Sequence, residues 1–128
     1  MRVLLDTHSF IWLVTDDPKL SDLAKSIFLD GRNELFCSAV TSFEIAIKFS
    51  LGKLELAEPP REFMETRLRK NALRPLPITL AHTYRLADLP FHHRDPFDRL
   101  LIAQALEEDL SLLSIEEILS DYGIRRIW

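Results

Sequence analysis

From Met1 to Leu5 the chain reads as an apolar strand that runs without a break into Asp6. A continuous apolar run, as opposed to an alternating one, is the pattern of a strand covered on both faces, as in a parallel sheet. A carboxylate at the end of such a strand is expensive to bury without a cation or hydrogen-bond partners. Asp6 thus marks a strand end and, at the same time, a candidate functional position.

The rest of the chain alternates helical and extended patterns. After the Asp16-Asp17-Pro18 turn, Leu20, Leu23, Ala24, Ile27 and Phe28 recur at helical spacing until Asp30-Gly31. Leu35 to Cys37 reads as a strand, and a helix from Thr41 carries Ile45, Ala46 and Phe49 inward before Gly52 ends it. Pro59-Pro60 opens a helix through about Ala72, with Phe63, Met64 and Leu68 inward and Arg61, Arg67, Arg69 and Lys70 outward. Pro75 and Pro77 confine the next extended piece to a sheet edge. Thr79 caps a short helix through Asp88, and Asp95-Pro96 starts a strongly apolar one from Phe97 to Glu108. Leu110 to Leu113 is a strand, Ser114 to Asp121 a helical turn or two, and Ile124 to Trp128 a last strand. This order predicts a three-layer α/β/α sandwich on a mainly parallel sheet, with residues 1–128 as a single domain.

Composition narrows the function classes. The 128 residues, 47% of them hydrophobic, suffice for one core. No apolar run approaches the roughly 20 residues that span a bilayer, so no membrane association is expected. The start lacks the apolar region and cleavage site of a secretory signal, so the expected location is cytoplasmic. Cys37, the only cysteine, lies in an apolar run and reads as a buried thiol. The net charge of −4 opposes nucleic-acid binding at first sight. Setting aside Asp6, Glu44, Asp98 and Glu116, however, the other charges balance, and a bound divalent ion reverses the local sign.

Those four acidic residues share a topological place. Asp6 ends a strand, and Glu44, Asp98 and Glu116 lie in the first turns of helices that follow strands or turns, positions that converge at the carboxyl ends of an open α/β sheet. Clustered carboxylates repel and require protons or hard cations. Oxygen donors favour Mg²⁺, with Mn²⁺ as a substitute, and such a site suits hydrolysis of a phosphodiester. Capping boxes at Thr41-x-x-Glu44, Asp95-x-x-Asp98 and Ser114-x-x-Glu117 are competing explanations. Asp95 itself reads as an N-cap before Pro96. Thr7, His8 and Arg99 adjoin the proposed ligands and are candidates to steer a phosphate or orient a carboxylate. The adjacent His92 and His93 match no zinc spacing and read as a solvated or phosphate-facing loop, while Phe10 and Trp12 read as core. The basic run Arg61, Arg67, Arg69, Lys70 and Arg74 fits either an RNA-guiding surface or a solvated face.

Leu4-Leu5-Asp6-Thr7-His8, Thr41-Ser42-Phe43-Glu44-Ile45-Ala46-Ile47-Lys48, Leu51-Gly52-Lys53-Leu54 and the segment His93 to Ala105, with its Asp-Pro-Phe-Asp-Arg core, resemble PIN-domain proteins of the VapC toxin type almost end to end. The resemblance implies a PIN-like fold and a Mg²⁺- or Mn²⁺-dependent endoribonuclease, the toxin of a toxin–antitoxin pair. It also implies frequent homodimers and inhibition by a partner antitoxin. Carried over by position, the acidic set falls on Asp6, Glu44 and Asp98, with Glu116 at the fourth place, where the family usually has Asp. Phe43 stands where tryptophan is common. The alternatives are a metal-dependent DNA nuclease or phosphatase on the same carboxylates, a receiver-type switch, and a catalytically impaired PIN module that acts by partner binding. A receiver needs an acidic pair after its first strand and a late lysine, and no lysine follows Lys70.

Overall fold

The computed structural model describes every residue from Met1 to Trp128. In chain order the elements are β1 (Arg2–Leu5), α1 (Thr7–Val14), α2 (Asp22–Leu29), β2 (Glu34–Ser38), α3 (Ala39–Ser50), α4 (Pro60–Lys70) and β3 (Arg74–Leu76). Then follow α5 (Leu80–Ala87), α6 (Pro96–Glu107), β4 (Ser111–Leu113), a 3₁₀ helix (Glu117–Tyr122) and β5 (Arg126–Ile127). The sheet has the order β3-β2-β1-β4-β5, and every pairing is parallel, with Leu5 opposite Cys37 on one side and Leu113 on the other.

Side chains that alternate along the strands build one core on each sheet face. Val3, Leu5, Leu35, Cys37 and Leu113 pack with Phe10, Ala24, Ile27 and Phe63 from α1, α2 and α4. Leu4, Phe36 and Leu112 pack on the other face with Leu101, Ile102 and Ala105 of α6 and with Leu119 and Tyr122. The expected α/β/α layering is therefore present, and Pro75 lies on edge strand β3, as its missing N–H requires. Burial pushes the Cys37 thiol up to about 12, in keeping with an inert core cysteine.

Because β2 and β3 lie on one side of β1, and β4 and β5 on the other, the connections leave β1 in opposite directions. That reversal opens a crevice at the carboxyl ends of β1 and β4, the place where open α/β sheets bind ligands. Asp6 is the first residue past the end of β1.

Several local expectations are corrected. α3 starts at Ala39, and its cap is Ser38, whose hydroxyl accepts from the Val40 N–H at 2.9 Å; Thr41 lies inside the helix and forms no capping box. The strand passes into the helix with no intervening loop, so no turn residue marks the boundary. Ala46 and Phe49 are exposed, and of the three residues expected inward only Ile45 is buried. Arg67 is half-buried, with its guanidinium on Glu58 at 3.0 Å and over the Phe63 ring. Ser114 does not cap a helix either; its hydroxyl accepts from the Glu116 N–H in a tight turn.

A buried polar chain ties α3 to α6. The Ser38 hydroxyl donates to Gln104 Oε1 at 2.5 Å, and Gln104 Nε2 donates to the Pro77 carbonyl at 3.3 Å and lies 3.4 Å from His82 Nδ1. The Thr79 N–H also donates to His82 Nδ1, which leaves the ring proton on Nε2, 2.9 Å from Glu108 Oε1. Ser38, His82 and Gln104 are almost completely buried, so removing one member strands its partners without water. Gln104→Leu, close in volume, should lower the folding free energy by about 2 kcal/mol in urea denaturation; unchanged stability would show that the chain contributes nothing.

Candidate metal centre

Asp6 is both the end of β1 and the N-cap of α1. Its Oδ1 accepts the Ser9 N–H at 2.8 Å, its own N–H donates to Leu113 O at 3.1 Å, and the Ser9 hydroxyl donates to that same carbonyl at 3.0 Å. The residue is 1% exposed, yet no hydrogen bond engages Oδ2, which keeps contact with solvent. Capping explains one carboxylate oxygen and leaves the other available.

α3 reaches the same place through a buried bond between the hydroxyls of Thr7 and Thr41 at 3.2 Å. Glu44 follows three residues later on the same helix face. It is buried, and its Oε2 lies 2.7 Å from Lys48 Nζ, one turn on. Phe43 and Phe97 meet edge to face at 5.7 Å, which brings together the helices carrying their neighbours Glu44 and Asp98.

Asp98 lies in the first turn of α6. Burial, reinforced by the negative charges of Asp95 and Asp6, pushes its carboxyl up from 3.8 to about 6, against the opposing hydrogen bond from His93. His93 Nε2 is 2.8 Å from Asp98 Oδ2. Ligand atoms of His93, Asp95 and Asp98 lie within 4.8 Å of one another. Asp95 is the expected N-cap, with Oδ1 accepting from the N–H groups of Phe97 and Asp98.

Of the four expected ligands, Asp98 alone belongs to the group with His93 and Asp95; Asp6, Glu44 and Glu116 lie outside it, and Arg99 and His8 stand elsewhere. The Glu116 side chain is exposed, without an ion pair or hydrogen bond to the other acidic residues. Arg99 points away from the carboxylates: buried, it donates to the carbonyls of Pro90 and Leu89 and to the Tyr122 hydroxyl, so it braces a loop. His8 is exposed and stacks on Trp12. Conversely, His93, read as a solvated loop residue, touches Asp98. Its loop has no periodicity, and the only signal was its place five residues before Asp98.

The donor set is one of oxygens, with one imidazole beside them, and it carries uncompensated negative charge. Asp6 Oδ2 lacks a partner, and Asp98 is held above its ordinary range by burial and, to a smaller extent, by the charges of Asp95 and Asp6. These residues fit a hard divalent cation of the Mg²⁺ or Mn²⁺ kind.

Comparison with known proteins bears on the family and the fold. Ribonuclease VapC16 of Mycobacterium tuberculosis is 39% identical over 59 residues, 46% of this chain and 42% of that protein, so this match spans less than half of the relative. Ribonuclease VapC22 of the same organism is 30% identical over 113 residues, 88% of this chain and 85% of its own. The fold matches a chain in the crystal structure of VapBC2 from Rickettsia felis bound to a DNA fragment from their promoter. There the TM-score is 0.75 at 15% identity, covering 99% of this chain and 98% of that one. The PIN domain family matches residues 3–124, nearly the whole length, and the chain belongs to that family.

Proposed function

We propose that the protein is a Mg²⁺-dependent endoribonuclease, with Mn²⁺ as a possible substitute, acting as the toxin of a toxin–antitoxin pair. The observation that carries this reading is the His93, Asp95 and Asp98 group, with ligand atoms within 4.8 Å of one another at the start of α6, whose Asp98 also feels the charge of Asp6 past the end of β1. The two relatives named as ribonucleases support RNA as the substrate class. The Rickettsia felis structure is a VapBC assembly on promoter DNA, which supports an antitoxin partner. A homodimer, a cytoplasmic location and a single catalytic domain over 1–128 belong to the same proposal.

In this reading Asp6, Glu44 and Asp98 hold the ion, and Glu116 joins them only if its exposed side chain swings inward. The ion supplies an activated water and neutralises charge on the leaving oxygen. The chain's part is to fix the donors: the Ser9 N–H orients Asp6, Lys48 restrains Glu44, His93 holds Asp98, and the Thr7–Thr41 bond sets α1 against α3. Glu116 also favours a second reading, a PIN module that binds a partner without cleaving, because its side chain, one methylene longer than the usual Asp, is exposed. A metal-dependent DNA nuclease remains the third, and the same assay with DNA separates it.

Asp6→Asn and Asp98→Asn should each reduce Mg²⁺-dependent cleavage of single-stranded RNA at least 100-fold, on the order expected for loss of a direct electrostatic contributor. Full turnover in both removes the shared-metal reading, no cleavage by the unaltered chain favours the non-cleaving module, and preference for DNA favours the third reading.

Asp98 also sets a pH dependence. Its carboxyl is raised on folding, so the stability it contributes is complete below about pH 4 and is lost as pH rises through about 6. In thermal melts with EDTA, Asp98→Asn should match the unaltered protein most closely below about pH 4 and exceed it by several degrees at pH 7.5; added Mg²⁺ should close that gap. An equal difference at both pH values contradicts the assignment.

A further inference from the structure

We propose that Phe91 is a stacking platform for an unpaired base of an RNA strand; this deepens the ribonuclease reading and rests on it. At 87% exposure, Phe91 is the most exposed of the large apolar side chains. Single exposed apolar residues are ordinary; this one is mounted. The Arg99 guanidinium lies 4.1 Å from its ring centroid, and Arg99 is itself 6% exposed. Arg99 is pinned in turn by Pro90 O at 2.8 Å, the Tyr122 hydroxyl at 3.2 Å and Leu89 O at 3.4 Å. The Tyr122 hydroxyl also accepts the N–H groups of His92 and His93 at 3.0 and 2.8 Å. One face of the ring therefore rests on a fixed cation, and the other is open to solvent.

Position and charge select the occupant. Two residues on, His93 contacts Asp98, which places the ring on the same loop as the metal cluster. Arg94, three residues on, is exposed and pairs with no carboxylate, so it offers a cation to a backbone phosphate. An aromatic face next to a free cation is the pattern that grips single-stranded nucleic acid, and stacking there tolerates any base. A protein partner's apolar side chain would leave the Arg94 charge without a partner. The platform thus selects unpaired RNA over duplex, because a base in a helix presents no free face.

The test uses the full chain carrying Asp6→Asn, so that RNA binds without being cut, and a single-stranded oligoribonucleotide containing 2-aminopurine. Stacking on Phe91 should quench the probe. Phe91→Ala should lose about tenfold or more in affinity, together with the quenching. Phe91→Leu, of similar bulk but without a π face, should behave like Phe91→Ala, and Phe91→Trp should retain both signals. Unchanged affinity in Phe91→Ala overturns the proposal, as does full rescue by Phe91→Leu. It is also overturned if Phe91→Ala binds RNA normally but loses a co-expressed protein partner, since the ring then belongs to a protein interface. If the parent protein binds no RNA and the unaltered chain cleaves none, the ribonuclease reading fails and this inference with it. Cleavage that persists while Phe91 proves dispensable removes this inference alone.

Discussion

Burial of the Asp98 carboxyl, with the charges of Asp95 and Asp6 acting on it, is the constraint around which the carboxyl edge of the sheet is arranged. Burial pushes the Asp98 carboxyl upward, and the charges of Asp95 and Asp6 add to it against the hydrogen bond from His93. Such an arrangement persists only if the surrounding scaffold over-determines it. Here the scaffold is explicit. Asp6 is fixed by the α1 N-terminus and by β4, Asp95 by the first turn of α6, and Asp98 by His93. The helices that carry Glu44 and Asp98 are tied together by the Phe43–Phe97 pair and by the Ser38–Gln104 bond. The two cores contribute the stability against which this cluster is strained.

Much of the fold was legible because it follows from patterning. The buried strand β1, the edge prolines and the Thr79 and Asp95 caps all appear where their chemistry requires. Helix boundaries were less legible where strand passes directly into helix. Ser38 caps α3 from the last position of β2, whereas Thr41, the residue with capping chemistry, is used to bond Thr7 across the site. A Ser/Thr-x-x-Glu spacing cannot distinguish a cap from a helix interior when both positions carry hydroxyls.

At the site, sequence adjacency misled in an instructive way. Asp98 and Arg99 are neighbours on one helix and therefore point in directions about 100° apart, so the carboxylate enters the crevice while the guanidinium braces the loop below Phe91. Asp6 was singled out from a single residue because a charge after a doubly covered strand has few bland explanations, and the structure supplies one of them, the capping of α1. Glu44 lies in the second turn of α3, past the first turn expected for it, and only Asp98 was placed correctly by its topology. His93 and the exposed ring of Phe91 were not, because their roles depend on a loop held by Tyr122 and Arg99 from distant parts of the chain.

The central claim is that Asp6, Glu44 and Asp98 share a divalent ion at the β1–β4 crevice. The most direct measurement is anomalous diffraction at the manganese edge from crystals of the protein grown with Mn²⁺. The account predicts an anomalous peak within coordination distance of Asp6 Oδ2 and an Asp98 oxygen, roughly 2.1 to 2.3 Å for a hard divalent ion bound by carboxylates, with Glu44 reaching it directly or through water. Strong peaks elsewhere on the surface, with none at this crevice, would contradict it.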